Sequence, residues 1–186
     1  MRAALAEPAA GAQSPAPNLR LALRFGTRAA HDRVDAAAGA LDLSQPDDRA
    51  RFLRAHHCAY QTLRAADAEP SALIAHRLAC AHADLLALGV PANAAALPCD
   101  APALHGAAGA LGVGYVLAGS HLGNRQLART WPGEPPRLLV DPRLAAHWPE
   151  LLTRLRAKPG GDARAQEVLA AARATFAVFE AAFRAV

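Results

Sequence analysis

His105–Arg129 reads HGAAGALGVGYVLAGSHLGNRQLAR. Its composition is that of a helix, yet it carries glycine at positions 106, 109, 112, 114, 119 and 123. Each interior glycine costs a helix about 0.8–1 kcal/mol against alanine, because it surrenders the most backbone freedom on folding. Something must offset that loss. At about 100° per residue, His105, Gly109, Gly112, Val116, Gly119 and Gly123 fall within a stripe about 80° wide. A face of bare backbone serves one of two ends, the close approach of a second helix or the seating of a flat ligand, and choosing between them needs a second element.

The remainder of the chain sets the frame for that choice. Its 186 residues suit one domain with a sizeable core. Alanine and leucine dominate, whereas valine and isoleucine together number nine and threonine five. Helix formers are thus plentiful and strand formers scarce, which predicts an all-α fold. Basic residues exceed acidic ones by 20 to 16 and are spread along the sequence. So modest and dispersed an excess argues against nucleic acid and suits an acidic small molecule or protein partner. Cys58, Cys80 and Cys99 form no CxxC pair and no zinc spacing, as in reduced cytosolic thiols. No apolar run approaches the roughly 20 residues that span a bilayer, and the N-terminus has no hydrophobic leader segment. The expectation is a cytoplasmic protein without membrane contact.

Residues 1–17, mostly Ala, Pro, Gly and Ser, read as a mobile tail, and 18–186 as the helical domain. Asn18 caps a first helix running to about Ala38. A second starts at SQPDD, capped by Ser44 or Asp47, and ends near Asp67. A third covers about 70–88 and stops at Gly89 and Pro91. The glycine-rich helix takes roughly 101–130. WPGEPP, residues 131–136, holds three prolines and is a connection. Helices over about 142–157 and 162–185 complete the chain.

The first helix carries the chemical signal. Arg24 stands seven residues before His31 and about 20° from it around the helix, and Asp35 stands one turn beyond on nearly the same face. Asp35 can hold one imidazole nitrogen and so leave the other for a metal. Arg24 lies two turns, roughly 10 Å, from the imidazole, about the distance from a haem iron to its propionates. A haem between His31 and the glycine face of 109–123 would account for both oddities.

The pattern LRxxTxxxHxxxD, here Leu23, Arg24, Thr27, His31 and Asp35, together with GYVLAGSHLGNRQL, resembles the bacterial haem oxygenases, including those that supply biliverdin to bacteriophytochromes. VLAAARATFAVFEAAF looks like the end of that family's last helix, so the resemblance covers roughly residues 20–185. It implies an all-α, single-domain, haem-oxygenase-like bundle with haem between a proximal helix and a distal helix kinked at its glycines. On that resemblance His31 is the proximal iron ligand and Asp35 its hydrogen-bond partner, while Arg24 and Tyr115 meet propionates. Gly119, Ser120 and Gly123 form the distal catalytic signature, and Phe176 walls the pocket. Arg154 or Arg156 stands where the family places basic residues near the propionates. Ala118, where many members have Glu, Asn124, where Gly or Ala is usual, and His121 inside the signature depart from the pattern.

The implied function is oxidative cleavage of haem, at once cofactor and substrate, to biliverdin, CO and ferrous iron. O₂ and electrons from a ferredoxin or reductase are required, and a bacteriophytochrome is a possible recipient of the product. The alternatives are a haem-binding or trafficking protein of the same fold without turnover, raised by Ala118 and Asn124, and a di-metal relative, disfavoured by the lack of repeated ExxH spacing. His56, His57, His76 and His82 are read as surface or core packing, and the Phe176, Phe179 and Phe183 series as core.

Overall fold

The computed structural model describes residues 17–93, 95–99 and 102–186. The tail read at 1–17 lies outside them except for Pro17. Among the described residues all regular structure is helical, and no helix is long and apolar enough to cross a membrane.

The segment 18–38 divides into α1 (Leu19–Gly26) and α2 (Arg28–Ala38) rather than forming one helix. Asn18 caps α1, its side chain accepting from the Leu21 N–H at 3.1 Å. At the joint the Thr27 hydroxyl donates to the Leu23 carbonyl at 2.7 Å, a back-bond that competes with the helix ladder. The i→i−4 bonds still pass through, since Thr27 N–H reaches Leu23 O and His31 N–H reaches Thr27 O, each at 2.9 Å. The backbone ladder therefore continues across Thr27, although the two helices are interrupted there.

Next come α3 (Pro46–Ala65) and α4 (Ser71–Ala87). Neither Ser44 nor Asp47 caps α3: Gln45 occupies that position without a side-chain bond, and Pro46 opens the helix. Asp48 instead reaches back to the Asp42 N–H at 2.9 Å, and Arg49 takes up the Leu43 and Ser44 carbonyls.

The glycine-rich segment is not one helix either. A short 3-10 turn at Pro102–Leu104 leads into α5 (Gly106–Gly119) and then α6 (His121–Thr130). Gly106 opens α5 with φ +62°, a left-handed backbone that only glycine adopts freely. Between α5 and α6 the Ser120 hydroxyl donates to the Leu117 carbonyl at 2.8 Å, the same kind of back-bond as at Thr27. The connection that follows holds an unforeseen short helix, α7 (Arg137–Val140), before α8 (Pro142–Arg156) and α9 (Ala163–Arg184).

The last helix is the axle of the fold. α9 packs on α1, α2, α3 and α5 and buries a broad face of about half its circumference, including Val168, Ala171, Thr175, Val178 and Ala182, while Gln166, Arg173 and Ala177 on the other side are exposed. α5 lies closest, because Gly112 has no side chain. A methyl there would stand 2.5 Å from the Val168 carbonyl oxygen and 2.6 Å from the Ala171 Cβ. Gly109 likewise leaves room for the Leu104 carbonyl. This half of the glycine stripe therefore serves backbone packing.

A second tie joins α4, α7 and α8. Buried Asp84 accepts from the Arg137 and Leu138 N–H groups at 2.9 and 2.8 Å. Arg77, 1% exposed, donates to the Tyr60 hydroxyl at 3.2 Å and to Asp141 Oδ2 at 3.1 Å. Burial pushes the Asp84 carboxyl up, against the pull of the two N–H groups and of Arg137 and Arg77. Burial acts on Asp141 in the same sense but is outweighed by the Arg143 N–H, Arg77 and His76, which hold it below the usual carboxylate range.

Gly112→Ala tests the axle. Overpacking against backbone atoms, which cannot rotate away, costs about 1–3 kcal/mol, and helix propensity returns at most about 1 kcal/mol. Urea denaturation should show a lowered midpoint at unchanged slope. An unchanged midpoint would mean that α5 and α9 do not meet at this glycine.

Candidate functional site

A cavity of about 760 Å³ opens between the helices, within the roughly 300–1,000 Å³ typical of small-molecule sites. One wall is the N-terminal pair of helices, through Arg24, Thr27, Arg28, His31, Asp32 and Asp35. Another is the end of α5 and the start of α6, through Tyr115, Val116, Gly119, Ser120, Gly123 and Asn124. α9 contributes Phe176, Phe179 and Phe183, α3 contributes Phe52, His56 and Tyr60, and Trp148 comes from α8. Arg24, His31, Asp35, Tyr115, Gly119, Ser120, Gly123 and Phe176, read from the sequence as one site, thus all line one cavity. Arg154 and Arg156 do not; both are exposed in the last turn of α8.

His31 is held from two sides. Its Nδ1 lies 3.0 Å from Asp35 Oδ2, one helical turn away, a contact that favours the tautomer with Nδ1–H and a free Nε2 whenever the ring binds a metal. Its ring meets Phe176 edge-on at 5.6 Å between centroids. With 58% of its side chain exposed, His31 is available to a ligand and is not a core residue satisfied by its neighbours.

Across the cavity the other half of the glycine stripe is open. A Cβ on Gly123 would meet nothing within 4 Å, and one on Gly119 only the Trp148 ring edge at 3.4 Å. The bare face is therefore split in use: Gly109 and Gly112 admit backbone, while Gly119 and Gly123 line the cavity. Ser120 divides the two glycines of the open half.

Polar groups on this wall are few. Ser120 spends its hydroxyl on Leu117. The Asn124 amide makes long bonds of 3.5 Å to Ser120 Oγ and the Leu138 carbonyl. His121 does not line the cavity; its Nδ1 lies 2.8 Å from the Ala118 carbonyl and its ring packs on Trp148. Buried Ala118 does not line it either.

Arg24 and Arg28 supply positive charge at the opposite wall, and among the described residues neither makes an ion pair. Tyr115 lies in the field of Arg24. Burial pushes its phenol up, opposed by the Thr27 hydroxyl and the charges of Arg20 and Arg24. Arg28 has no periodic signal in the sequence that singles it out from 18 other arginines.

His56 is a second imidazole on the cavity that sequence reading assigns to packing. It sits among Phe52, Tyr60, Phe179 and Phe183, and its Nδ1 is 3.0 Å from the Phe52 carbonyl. Burial pushes it down to about 4 against the effect of that carbonyl, and the Arg77 charge adds to the fall. It is therefore neutral near pH 7. No protein-family model matches the chain, and no curated protein or solved structure matches it.

Two measurements on the ligand-free protein follow. Gly123→Ala should keep or raise stability, by up to about 1 kcal/mol of helix propensity; a fall comparable to that of Gly112→Ala would mean that this face is packed. Because the folded pKa of His56 lies below its ordinary 6.5, the folded state resists protonation there. Stability should therefore decline as pH falls from 6.5 towards about 4, by at most about 3.4 kcal/mol at about 1.36 kcal/mol per pKa unit. Asp141, held low, adds its loss further into acid. His56→Phe should flatten the first window, and an identical pH profile in the variant would refute the assignment.

Proposed function

We propose that this protein is a haem oxygenase that cleaves haem to biliverdin, CO and ferrous iron. The observation that carries the reading is that His31, with Nδ1 beside Asp35, and the open glycines Gly119 and Gly123 line one cavity from different helices. The donor set fits haem. One imidazole nitrogen is left for iron, Arg24 and Arg28 offer two cations to two propionates, and Phe176, Phe179 and Trp148 give apolar walls for a flat macrocycle.

Bound haem supplies the O₂ chemistry and the ring to be cleaved, with electrons from a partner such as a ferredoxin or reductase. The chain's own part is placement. Asp35 fixes the tautomer of His31 and raises its basicity as a ligand. Arg24, with Tyr115 beside it, anchors the propionate edge by charge-assisted hydrogen bonds. Gly119 and Gly123 keep side chains from the opposite face, so backbone can approach closely while space remains for a small ligand. Ser120 and Asn124 are the polar groups there that can hold water and pass protons. A bacteriophytochrome receiving biliverdin remains part of the proposal, as does a cytoplasmic site of action.

A second reading, haem binding without turnover, has one observation in its favour. The carboxylates lining the cavity, Asp32 and Asp35, both stand on α2, so proton supply at the glycine wall falls to Ser120, Asn124 and water. Purified protein given hemin and a reductant separates the readings: loss of the Soret band with appearance of biliverdin requires an oxygenase, whereas a stable ferrous spectrum supports binding alone. His31→Ala should still admit porphyrin but lose the axial imidazole signature in the ferric and ferrous-CO spectra, with recovery on adding imidazole. Unchanged spectra in that variant would remove His31 as the ligand.

A further inference from the structure

Away from the cavity, His76, Cys80 and Asp141 converge where α4 meets the junction of α7 and α8. His76 and Cys80 are one turn apart on α4, which places both side chains on one face, and Asp141 caps α8. His76 Nε2 is 3.0 Å from Asp141 Oδ2 and 3.6 Å from Cys80 Sγ, and one donor atom from each of the three residues lies within 4.8 Å of the others. We propose that these three side chains bind a zinc-type divalent cation, with water in the fourth position.

The donor set is one imidazole nitrogen, one sulfur and one carboxylate oxygen, the mixture that suits Zn²⁺ and its tetrahedral substitute Co²⁺ and does not suit Mg²⁺ or Ca²⁺. Charge is compatible with this. A single buried guanidinium, Arg77, faces two carboxylates, Asp84 and Asp141, while Arg137 and Arg143 nearby are exposed. Arg137 acts on Asp84, and a protonated His76 can answer Asp141; a divalent cation with one thiolate carries the same single net charge and would take the place of that proton. Coordination converts the Cys80 thiol to a thiolate, and its proton passes to solvent.

Asp141 is already oriented for the task. Its Oδ1 accepts from the Arg143 N–H at 3.0 Å and its Oδ2 from Arg77 at 3.1 Å. A carboxylate oxygen has a second lone pair for a metal, so Arg77 orients the ligand as neighbours of metal carboxylates do. His76 would bind through Nε2, exchanging its contact with Asp141 for the metal and carrying its proton on Nδ1. Its side chain is 24% exposed, which leaves a way in from solvent. Bound there, the cation would clasp α4 to α8.

Titrating Co²⁺ into the full-length protein, stripped of metal and without haem, tests the site. One equivalent should produce tetrahedral d–d bands with a thiolate-to-cobalt charge-transfer band, and Zn²⁺ should displace it. Cys80→Ser should abolish the charge-transfer band, His76→Ala should weaken binding at least tenfold, and Cys58→Ser should change neither. Zn²⁺ should also raise the melting temperature of the unaltered protein, reversibly with chelator. Absence of a charge-transfer band at excess Co²⁺ in the folded unaltered protein, or its survival in Cys80→Ser, would overturn the proposal. The unaltered protein decides the matter should either variant fail to fold, and no readout depends on haem chemistry.

Discussion

The backbone of α5 lies directly against that of α9 at Gly112, and the rest of the molecule is arranged around that approach. With a would-be methyl only 2.5 Å from the Val168 carbonyl, the two helices are as near as backbone atoms permit. α9 cannot be displaced without disturbing α1, α2 and α3, which also pack on it. This proximity is what the glycines of α5 contribute in return for their helical cost.

The helices are interrupted at two residues that line the cavity, Thr27 and Ser120. Thr27 and Ser120 each turn a hydroxyl back onto a carbonyl in the preceding turn, Leu23 and Leu117 respectively. A hydroxyl donor competes there with the helix ladder. The two short polar side chains thus lie on a cavity whose other lining includes Phe52, Tyr60, Tyr115, Trp148, Phe176, Phe179 and Phe183 and the glycines Gly119 and Gly123.

Polar burial elsewhere has a separate purpose. Arg77, Asp84 and Asp141 hold α4 against α7 and α8, with the peptide N–H groups of Arg137 and Leu138 absorbed by Asp84. Such a network stabilises only while every member is paired, since an orphaned buried charge costs several kcal/mol, roughly 3–5. Tyr60 links this network to the cavity wall: its hydroxyl accepts from Arg77, and the residue lines the cavity.

Local chemistry in the sequence determined a good deal by itself. The Asn18 cap, the prolines of WPGEPP and the apolar spacing of the helices are properties of near neighbours along the chain, and they place the all-α elements. His31 and Asp35 pair within one turn, so their contact was legible as well, as was the oddity of the glycine stripe. What lay beyond local reading were the effects of distant chain. Gly112 and Gly123 look alike in sequence, and only the carbonyl of Val168, far along the chain, makes one a packing contact and leaves the other open. Arg154 and Arg156 carry suitable charge but lie away from the cavity, while Arg28 and His56 line it because helix packing brings them there. His76 and Cys80 share a helix face at i, i+4 spacing, but Asp141 joins them only through the packing of α4 against α7. Periodicity reports which face of a helix is apolar, and tertiary structure decides what meets that face.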